Sequence, residues 1–316
     1  MTQTTNSIPL LIPNEFHSET IGKLDSLFDT HKLWLLSPAD QVKLVKELQP
    51  VCKAVATASW QTSALIYELP GLEIISCFGV GVDGIDFGIT GSRNISVTNT
   101  PDVLNDAVAD IAMALVLMSQ RNLVNADRFV RSGQWRKGAF PLGRGLAGKT
   151  LGILGLGSIG EDIAERALAS QMNIAYHNRH RKDLPYTYCS SLTELAHVSD
   201  ILLCMLPGGE QTANIVNRDV FKELGPLGTF INVGRGSSVD ENDLIEALRS
   251  RAIAGAGLDV YQNEPEIPDE LLSMDNVVLL PHVGSATIET RQDMGNLVID
   301  NLLAWSNNKP LLTTVL

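Results

Sequence analysis

Long hydrophobic runs are missing from this sequence of 316 residues. A helix needs about 20 consecutive apolar residues to cross a bilayer, and no stretch reaches that length. A basic segment is also lacking at the N-terminus, where Pro9 and Pro13 flank a short apolar piece. The sequence therefore predicts neither a membrane span nor a signal peptide, and a cytoplasmic protein is expected.

Basic charge is also in short supply. The chain has 24 Lys and Arg against 36 Asp and Glu, which gives a formal net charge of -12. Nucleic-acid binding needs a basic run or stripe to meet phosphates, and the sequence contains neither, so no nucleic-acid partner is expected. A few arginines in a cleft are still sufficient to bind a small anion.

Cysteine is scarce, with four residues and no Cys-X-X-Cys pair. The four residues fall in or beside apolar, strand-like runs, at Cys52, Cys77, Cys189 and Cys204. This pattern predicts buried, reduced thiols in a cytosolic protein, and no metal site is expected.

Strand-like and helical patterns alternate along most of the chain, which favours an α/β fold with parallel sheets. The first part has strand-like runs at 51–58, 72–78 and 94–99, and helical patterns at 18–30 and 40–48. A second series has strand-like runs at 149–157, 173–178, 200–206, 228–234, 254–260 and 276–281. The second series is long enough for one complete doubly wound domain, so two sheets in two domains are predicted.

Two long helical patterns are natural connections between these domains. Thr100 is suited to capping a helix and Pro101 to its first turn, and a helical pattern follows over 102–131. Another helical pattern covers 286–305. We therefore predict a discontinuous substrate domain of residues 1–100 and 285–316, a dinucleotide-binding domain of residues 101–284, and an active site in the cleft between them.

A glycine-rich turn follows the first strand of the second series. Gly155, Gly157 and Gly160 form the pattern G-L-G-S-I-G between a strand-like run and a helical run. The first glycine permits a tight turn, the second allows a pyrophosphate to approach the backbone, and the third allows close packing of helix on strand. The turn therefore predicts a dinucleotide site at a helix N-terminus.

The end of the next strand indicates which dinucleotide is bound. An NAD site places a carboxylate there to bind the ribose 2'-hydroxyl, but this segment has no carboxylate before Asp183. Arg179 and Arg181 are suited to a 2'-phosphate instead, so NADPH is the predicted cofactor and NADH a less efficient one. Two solvated loop arginines are the alternative interpretation.

Three further segments, at the ends of strand-like runs, carry reactive side chains: V-G-R-G at 233–236, G-L-D-V-Y-Q-N-E-P at 257–265 and P-H-V-G-S-A-T at 281–287. Reduction of a keto acid needs a proton donor for the carbonyl oxygen, and a histidine serves near neutral pH. We therefore assign His282 as the acid/base, Glu264 as its partner and Arg235 as the anchor of the substrate carboxylate.

With these motifs in this order, the chain resembles the D-specific 2-hydroxyacid dehydrogenase family nearly end to end. The resemblance implies a Rossmann-type cofactor domain and a flavodoxin-like substrate domain. It also implies that the backbone of Val80 and Gly81 holds the substrate carboxylate and that Asp259 bonds the nicotinamide carboxamide. Asp83 either fixes its own turn or touches the substrate. The cofactor-binding residues predicted together are Gly155, Leu156, Gly157, Ser158, Ile159, Gly160, Asn178, Arg179, His180, Arg181, Pro207, Thr212, Val233, Gly234, Arg235, Asp259, His282 and Gly284.

Within the family, the chain is most similar to NADPH-dependent glyoxylate/hydroxypyruvate reductases and the related hydroxyphenylpyruvate reductases. Glu264 argues against formate dehydrogenases, which lack this partner. Two aromatic residues leave the identity of the substrate undecided. Trp60 narrows the substrate pocket, acts as a lid or packs between helices. Phe140 either contacts the substrate from a partner subunit or only packs at a dimer interface.

The expected function is reduction of glyoxylate or hydroxypyruvate by NADPH to the D-2-hydroxy acid. A homodimer is expected, because the region near 102–146 is the family's usual contact region. The alternative is a reductase of hydroxyphenylpyruvate or another larger 2-keto acid. A remote alternative is a non-catalytic dinucleotide sensor that resembles the corepressors of this fold.

Overall fold

Two compact units make up the structure, a computed structural model that describes residues 7–58 and 62–315. The first unit consists of the described residues of Met1–Leu104 and Ala286–Leu316, and the second is Asn105–Ser285. The domain limits predicted from the sequence, at 100/101 and 284/285, remain predictions, since a compact unit need not fold independently.

The first unit contains a parallel sheet in the order β2-β1-β3-β4-β5. Its strands are β1 (Pro9–Ile12), β2 (Asp29–Lys32), β3 (Ala54–Thr57), β4 (Ile74–Cys77) and β5 (Ser96–Thr98). Its helices are α1 (Ser18–Leu27), α2 (Pro38–Leu48), α3 (Phe87–Ser92) and the C-terminal α11 (Ile288–Ser306). The strand order reverses between β1 and β3, and ligands bind near the carboxyl ends of strands at such a reversal.

The second unit contains a larger parallel sheet in the order β12-β11-β10-β9-β6-β7-β8. Its strands are β6 (Thr150–Leu154), β7 (Asn173–His177), β8 (Thr187–Tyr188), β9 (Ile201–Cys204), β10 (Thr229–Asn232), β11 (Gly255–Leu258) and β12 (Val277–Leu279). Its helices are α4 (Asn105–Arg121), α5 (Leu123–Arg131), α6 (Ser158–Ala169), α7 (Leu192–Val198), α8 (Arg218–Leu224), α9 (Glu241–Arg249) and α10 (Asp269–Ser273). The order reverses between β6 and β9, as in a Rossmann-type sheet.

The inner strands of both sheets are buried on both faces. Every residue of β3, β4, β9, β10 and β11 is buried. Helices cover both faces of a parallel sheet, so its strands read as continuous apolar runs without alternation. This explains why these strands were predictable from the sequence.

The helical pattern at 102–131 forms two helices rather than one. Asn122 has a φ of 51° in the left-handed region, and the axes of α4 and α5 differ by 62°. No single helix within 7–58 and 62–315 is long and apolar enough to cross a membrane. Only α4 and α5 taken together, as this bent pair, have the necessary length and apolar composition. In the structure α4 packs on β10 and β11.

The predicted start of that helix is wrong. Asp102 has a φ of 66°, and the first helical residue is Asn105. The Thr100 hydroxyl does not cap the helix, because it accepts a hydrogen bond from the Gly79 N–H at 3.2 Å. The Thr100 N–H in turn donates to the Gly79 carbonyl at 3.1 Å, so this residue ties two loops of the first unit together.

Candidate active site

The glycine loop lies between β6 and α6, where the order of the second sheet reverses. Gly155 has a φ of 94°, and a Cβ on it would lie 3.0 Å from the Met205 carbonyl oxygen. A Cβ on Gly160 would lie 3.0 Å from the Gly155 oxygen. Both positions therefore need glycine, one for the turn and its close approach to β9, and the other for the packing of α6.

The middle glycine leaves space for a ligand. A Cβ on Gly157 would meet no atom within 4 Å, and no side chain caps α6 at this residue. The first N–H groups of α6, from Ser158 and Ile159, are helix donors without intrahelical partners. An open backbone at a helix N-terminus fits the pyrophosphate of a dinucleotide.

The loop after β7 carries positive charge instead of the carboxylate of an NAD site. Asn178 bonds with the backbone of fully buried Leu156 in both directions, at 2.7 Å to its N–H and 3.0 Å to its carbonyl. Arg179 and Arg181 are exposed, and the Arg179 guanidinium donates to Gln211 at 3.1 Å. Asn178 thus has a structural contact, whereas the arginines remain accessible to a ligand.

A tight loop follows β9, the strand beside β6 where the order of the second sheet reverses. The Thr212 hydroxyl donates to the Pro207 carbonyl at 2.7 Å and lies 3.1 Å from the Gly209 carbonyl. These bonds hold the segment from 207 to 212 in a compact turn, so both residues predicted to line the cofactor lie at the carboxyl edge of the second sheet.

The histidine and the glutamate predicted as catalytic partners are in direct contact. His282 Nδ1 lies 2.6 Å from Glu264 Oε2, the separation of a charge-assisted hydrogen bond. The other carboxylate oxygen, Oε1, accepts the Tyr261 N–H at 3.0 Å. Both oxygens of Glu264 are therefore engaged, which fixes the carboxylate and, through it, the imidazole ring.

The same contacts keep Glu264 ionised. Burial opposes the ionisation of this carboxyl, but the hydrogen bond and charge of His282, the Tyr261 N–H and the Arg235 charge together hold its pKa below the ordinary value. The carboxylate is thus available to compensate an imidazolium over the whole neutral range of pH.

Asp259 shapes the loop that carries the histidine. Its two carboxylate oxygens accept the N–H groups of Val283 and Gly284, each at 2.8 Å, and its carbonyl accepts the His282 N–H at 2.9 Å. His282 has a φ of 53°, a backbone conformation that residues other than glycine rarely adopt. Burial raises the pKa of Asp259 above its ordinary value, although both N–H groups act in the opposite direction.

Arg235 follows β10, beside the loop of Tyr261. A Cβ on Gly236 would lie 1.9 Å from the Tyr261 carbonyl carbon, so the two backbones are in close contact. Asn232 and Ser238, both buried, donate to the Arg235 carbonyl at 3.0 and 2.7 Å. These contacts place Arg235 near enough for its charge to act on the Glu264 carboxylate.

Sequence reasoning missed the residues that support this arrangement. The Tyr261 hydroxyl donates to the Leu280 carbonyl at 2.8 Å and so connects the Glu264 loop to the segment before His282. The available signal was the presence of Tyr261 and Asn232, polar groups inside or next to buried strand segments. Buried polar groups need partners, and here the partners are the catalytic loops.

The substrate loop predicted from the resemblance lies in the first unit. Val80 and Gly81 follow β4 and are partly exposed, and the Val80 carbonyl accepts the Asn99 side chain at 2.8 Å. Trp60 lies outside the described residues. Phe140 is partly exposed in the second unit, with its ring 5.3 Å from that of Phe129 in an edge-on contact.

Comparison with known proteins shows the family of this chain. The family model for the NAD-binding domain of D-isomer specific 2-hydroxyacid dehydrogenases matches residues 113–284. The chain is 46% identical to glyoxylate/hydroxypyruvate reductase A of Arabidopsis thaliana over 311 residues, 98% of this chain and 99% of the relative. It is 45% identical to hydroxyphenylpyruvate reductase of Plectranthus scutellarioides over 295 residues, 93% and 94% of the two chains.

A solved structure supports the same assignment of the fold. The NADPH-dependent glyoxylate/hydroxypyruvate reductase of Sinorhizobium meliloti, in complex with NADP and malonate, is 42% identical to this chain. The two structures match with a TM-score of 0.90 over 98% of this chain and 96% of the other.

Proposed function

The chain belongs to the D-isomer specific 2-hydroxyacid dehydrogenase family, and we propose that it reduces glyoxylate or hydroxypyruvate to the D-2-hydroxy acid with NADPH. The observation that carries this proposal is the 2.6 Å contact between His282 and Glu264 in the unit that also contains the glycine loop. Two relatives named glyoxylate/hydroxypyruvate reductase, 46% and 42% identical to this chain, support the choice of substrate.

His282 is the proton donor in this proposal. The dinucleotide, when bound along the glycine loop, supplies the hydride to the carbonyl carbon. Negative charge then develops on the carbonyl oxygen, and His282 Nε2–H protonates it while Nδ1–H stays bonded to Glu264. Glu264 orients the ring and compensates the imidazolium charge, and the Arg235 guanidinium binds the substrate carboxylate. The backbone of Val80 and Gly81 is proposed to bind the same carboxylate.

The preference for NADPH is proposed from the loop after β7. Arg179 and Arg181 are exposed there, and Asn178 occupies the place of the carboxylate that would repel a 2'-phosphate. The solved relative from Sinorhizobium meliloti binds NADP, which agrees with this choice. The double substitution of both arginines by glutamine should lower kcat/KM for NADPH far more than for NADH. Arg249→Gln, at an exposed position of α9, is the matched control.

A homodimer is proposed from an apolar surface of the second unit. No residue of α5 is buried, and Val130, Trp135 and Leu142 are exposed by 54%, 67% and 100%. Large apolar side chains exposed within one short stretch of the chain favour a protein partner. Light scattering should give the mass of two chains, and Leu142→Glu should shift it toward one. A monomeric wild-type protein would refute the proposal.

Hydroxyphenylpyruvate is the second candidate substrate. A relative of that name is 45% identical, and the aromatic contact of Phe140 with Phe129 supplies a surface on which a ring can pack. Steady-state kinetics with glyoxylate, hydroxypyruvate and hydroxyphenylpyruvate, each with NADPH and NADH, decide between them. The proposal expects the highest kcat/KM for one of the two small acids with NADPH. A preference for the aromatic acid, or for NADH, would contradict it.

A further inference from the structure

The loop that carries Arg179 and Arg181, residues 178–182, is fastened to the strand before it. Tyr176 of β7 is fully buried, and its hydroxyl lies beside the backbone of Lys182. The hydroxyl donates to the Lys182 carbonyl at 3.0 Å and accepts the Lys182 N–H at 2.9 Å. One side chain therefore satisfies both backbone groups of Lys182 and closes the loop at its far end.

Two further contacts fix this loop to the neighbouring elements. At its near end, the Asn178 side chain bonds with the N–H and the carbonyl of Leu156 in the glycine loop. At its far end, Lys182 Nζ contacts the carboxylate of Glu161, which lies in the first turn of α6. Because α6 begins at the glycine loop, both contacts fix the loop relative to the helix N-terminus that fits a pyrophosphate.

The Arg179 side chain is held from the loop after β9. Its guanidinium donates to Gln211 Oε1 at 3.1 Å, and the bonds of the adjacent Thr212 hydroxyl keep that loop compact. A guanidinium has five N–H donors, so this bond leaves a fork that can bind a phosphate. An amide oxygen orients the guanidinium without adding charge, whereas a carboxylate at this position would repel a phosphate.

We propose that Tyr176 and Gln211 are positioning residues that hold the loop of Arg179 and Arg181 in shape for the 2'-phosphate of NADPH. This inference rests on the NADPH preference proposed above. A long side chain that becomes ordered only on binding lowers the affinity, and a loop that is fixed beforehand avoids part of this loss. NADH has no 2'-phosphate, so removal of either contact should weaken the binding of NADPH selectively.

The test measures the Kd of NADP and of NAD by calorimetry. Tyr176→Phe and Gln211→Ala should each lower the preference for NADP, expressed as the ratio of the two Kd values, about 2- to 10-fold, the effect of one long side chain that must be ordered on binding. Gln211→Glu should lower it further, because the new carboxylate repels the phosphate. The kcat at saturating NADPH should change little, since the 2'-phosphate is not at the reacting atoms.

Two substitutions of the same kinds are the matched controls. Tyr67→Phe removes a hydroxyl from the first unit, where it accepts the Asp86 N–H at 2.8 Å. Gln171→Glu adds a carboxylate at an exposed position just before β7, at the amino edge of the second sheet. Both variants should keep the wild-type ratio of Kd values.

A wild-type ratio in Tyr176→Phe would overturn the role of Tyr176, and a wild-type ratio in Gln211→Glu would overturn that of Gln211, with the preference for NADPH intact. An equal loss of affinity for both dinucleotides would also overturn the inference, because it would show a structural role alone. If Tyr176→Phe does not fold, the two variants of Gln211, an exposed residue, decide the inference. Wild-type protein that binds NAD more tightly than NADP would refute the proposed cofactor, and this inference with it.

Discussion

Replacement of Glu264 by glutamine removes one negative charge beside the imidazole and leaves the shape of the side chain almost unchanged. In the structure Glu264 Oε2 lies 2.6 Å from His282 Nδ1, and Oε1 accepts the Tyr261 N–H at 3.0 Å. The amide of glutamine retains one acceptor and adds a donor. It can therefore satisfy only one of these two contacts.

The magnitude follows from the kind of bond that is lost. A hydrogen bond that involves a charged group contributes about 1.5–3 kcal/mol, and both side chains are only partly exposed, at 35% and 25%. Since about 1.4 kcal/mol corresponds to a factor of ten in rate, kcat should fall about 10- to 100-fold at neutral pH. The fall appears in kcat because the imidazolium is needed in the transition state.

The pH dependence supplies a second readout with a definite sign. The folded pKa of Glu264 lies below its ordinary value, so its contribution to stability is present above the unfolded pKa and disappears as the pH falls through the folded value. Wild-type protein should therefore lose stability as the pH falls through the folded pKa of Glu264, and Glu264→Gln should lack this acid-dependent loss.

The assay is the change in NADPH absorbance with hydroxypyruvate as a function of pH. Glu266→Gln is the control, since Glu266 is exposed in the same loop and carries the same change of charge. If Glu264→Gln matched this control in kcat and in the acid limb of its stability profile, the coupling of Glu264 to His282 would have no catalytic importance and the reasoning would be refuted.

Three other substitutions test the parts around this pair. Arg235→Ala should raise KM and lower kcat together, with a loss of about 100-fold or more in kcat/KM, because the guanidinium binds the carboxylate and stabilises charge on the carbonyl; a change in KM alone would contradict the second role. Asp259→Asn should lower kcat and cost about 1–3 kcal/mol of unfolding free energy, since one of the two N–H groups now at 2.8 Å would lose its acceptor; chemical denaturation and turnover measure both, and wild-type values would contradict the role of Asp259 in holding the loop. Gly236→Ala would place a Cβ 1.9 Å from the Tyr261 carbonyl carbon, so it should destabilise the fold by about 3 kcal/mol or more, and a wild-type melting temperature would show that these backbones are not in contact.

The parts of the molecule that were predictable from sequence share a local cause. The inner strands of both sheets lie in largely apolar runs, and the left-handed φ of Gly155 and the contact of Gly160 with the Gly155 oxygen act within a few residues. The family and the reaction class were predictable because the motifs of Arg235, Glu264 and His282, each after a strand of the second sheet, resemble those of a known family. The fold and the family stated from the sequence are confirmed.

What escaped prediction depends on contacts between distant segments. β2 has the polar sequence D-T-H-K at an edge of the sheet, so no apolar pattern marked it, although it pairs with β1. Thr100 has the residue type of a helix cap, but its hydroxyl serves Gly79 of another loop.

The central claim is that His282 protonates the carbonyl oxygen of a 2-keto acid, and one variant tests it most directly. His282→Ala should lower kcat with NADPH and hydroxypyruvate by about 10²- to 10⁴-fold, the usual contribution of a positioned acid. NADPH binding, measured by calorimetry on the same protein, should change little, because the glycine loop is intact. Turnover close to that of the wild type would contradict the account.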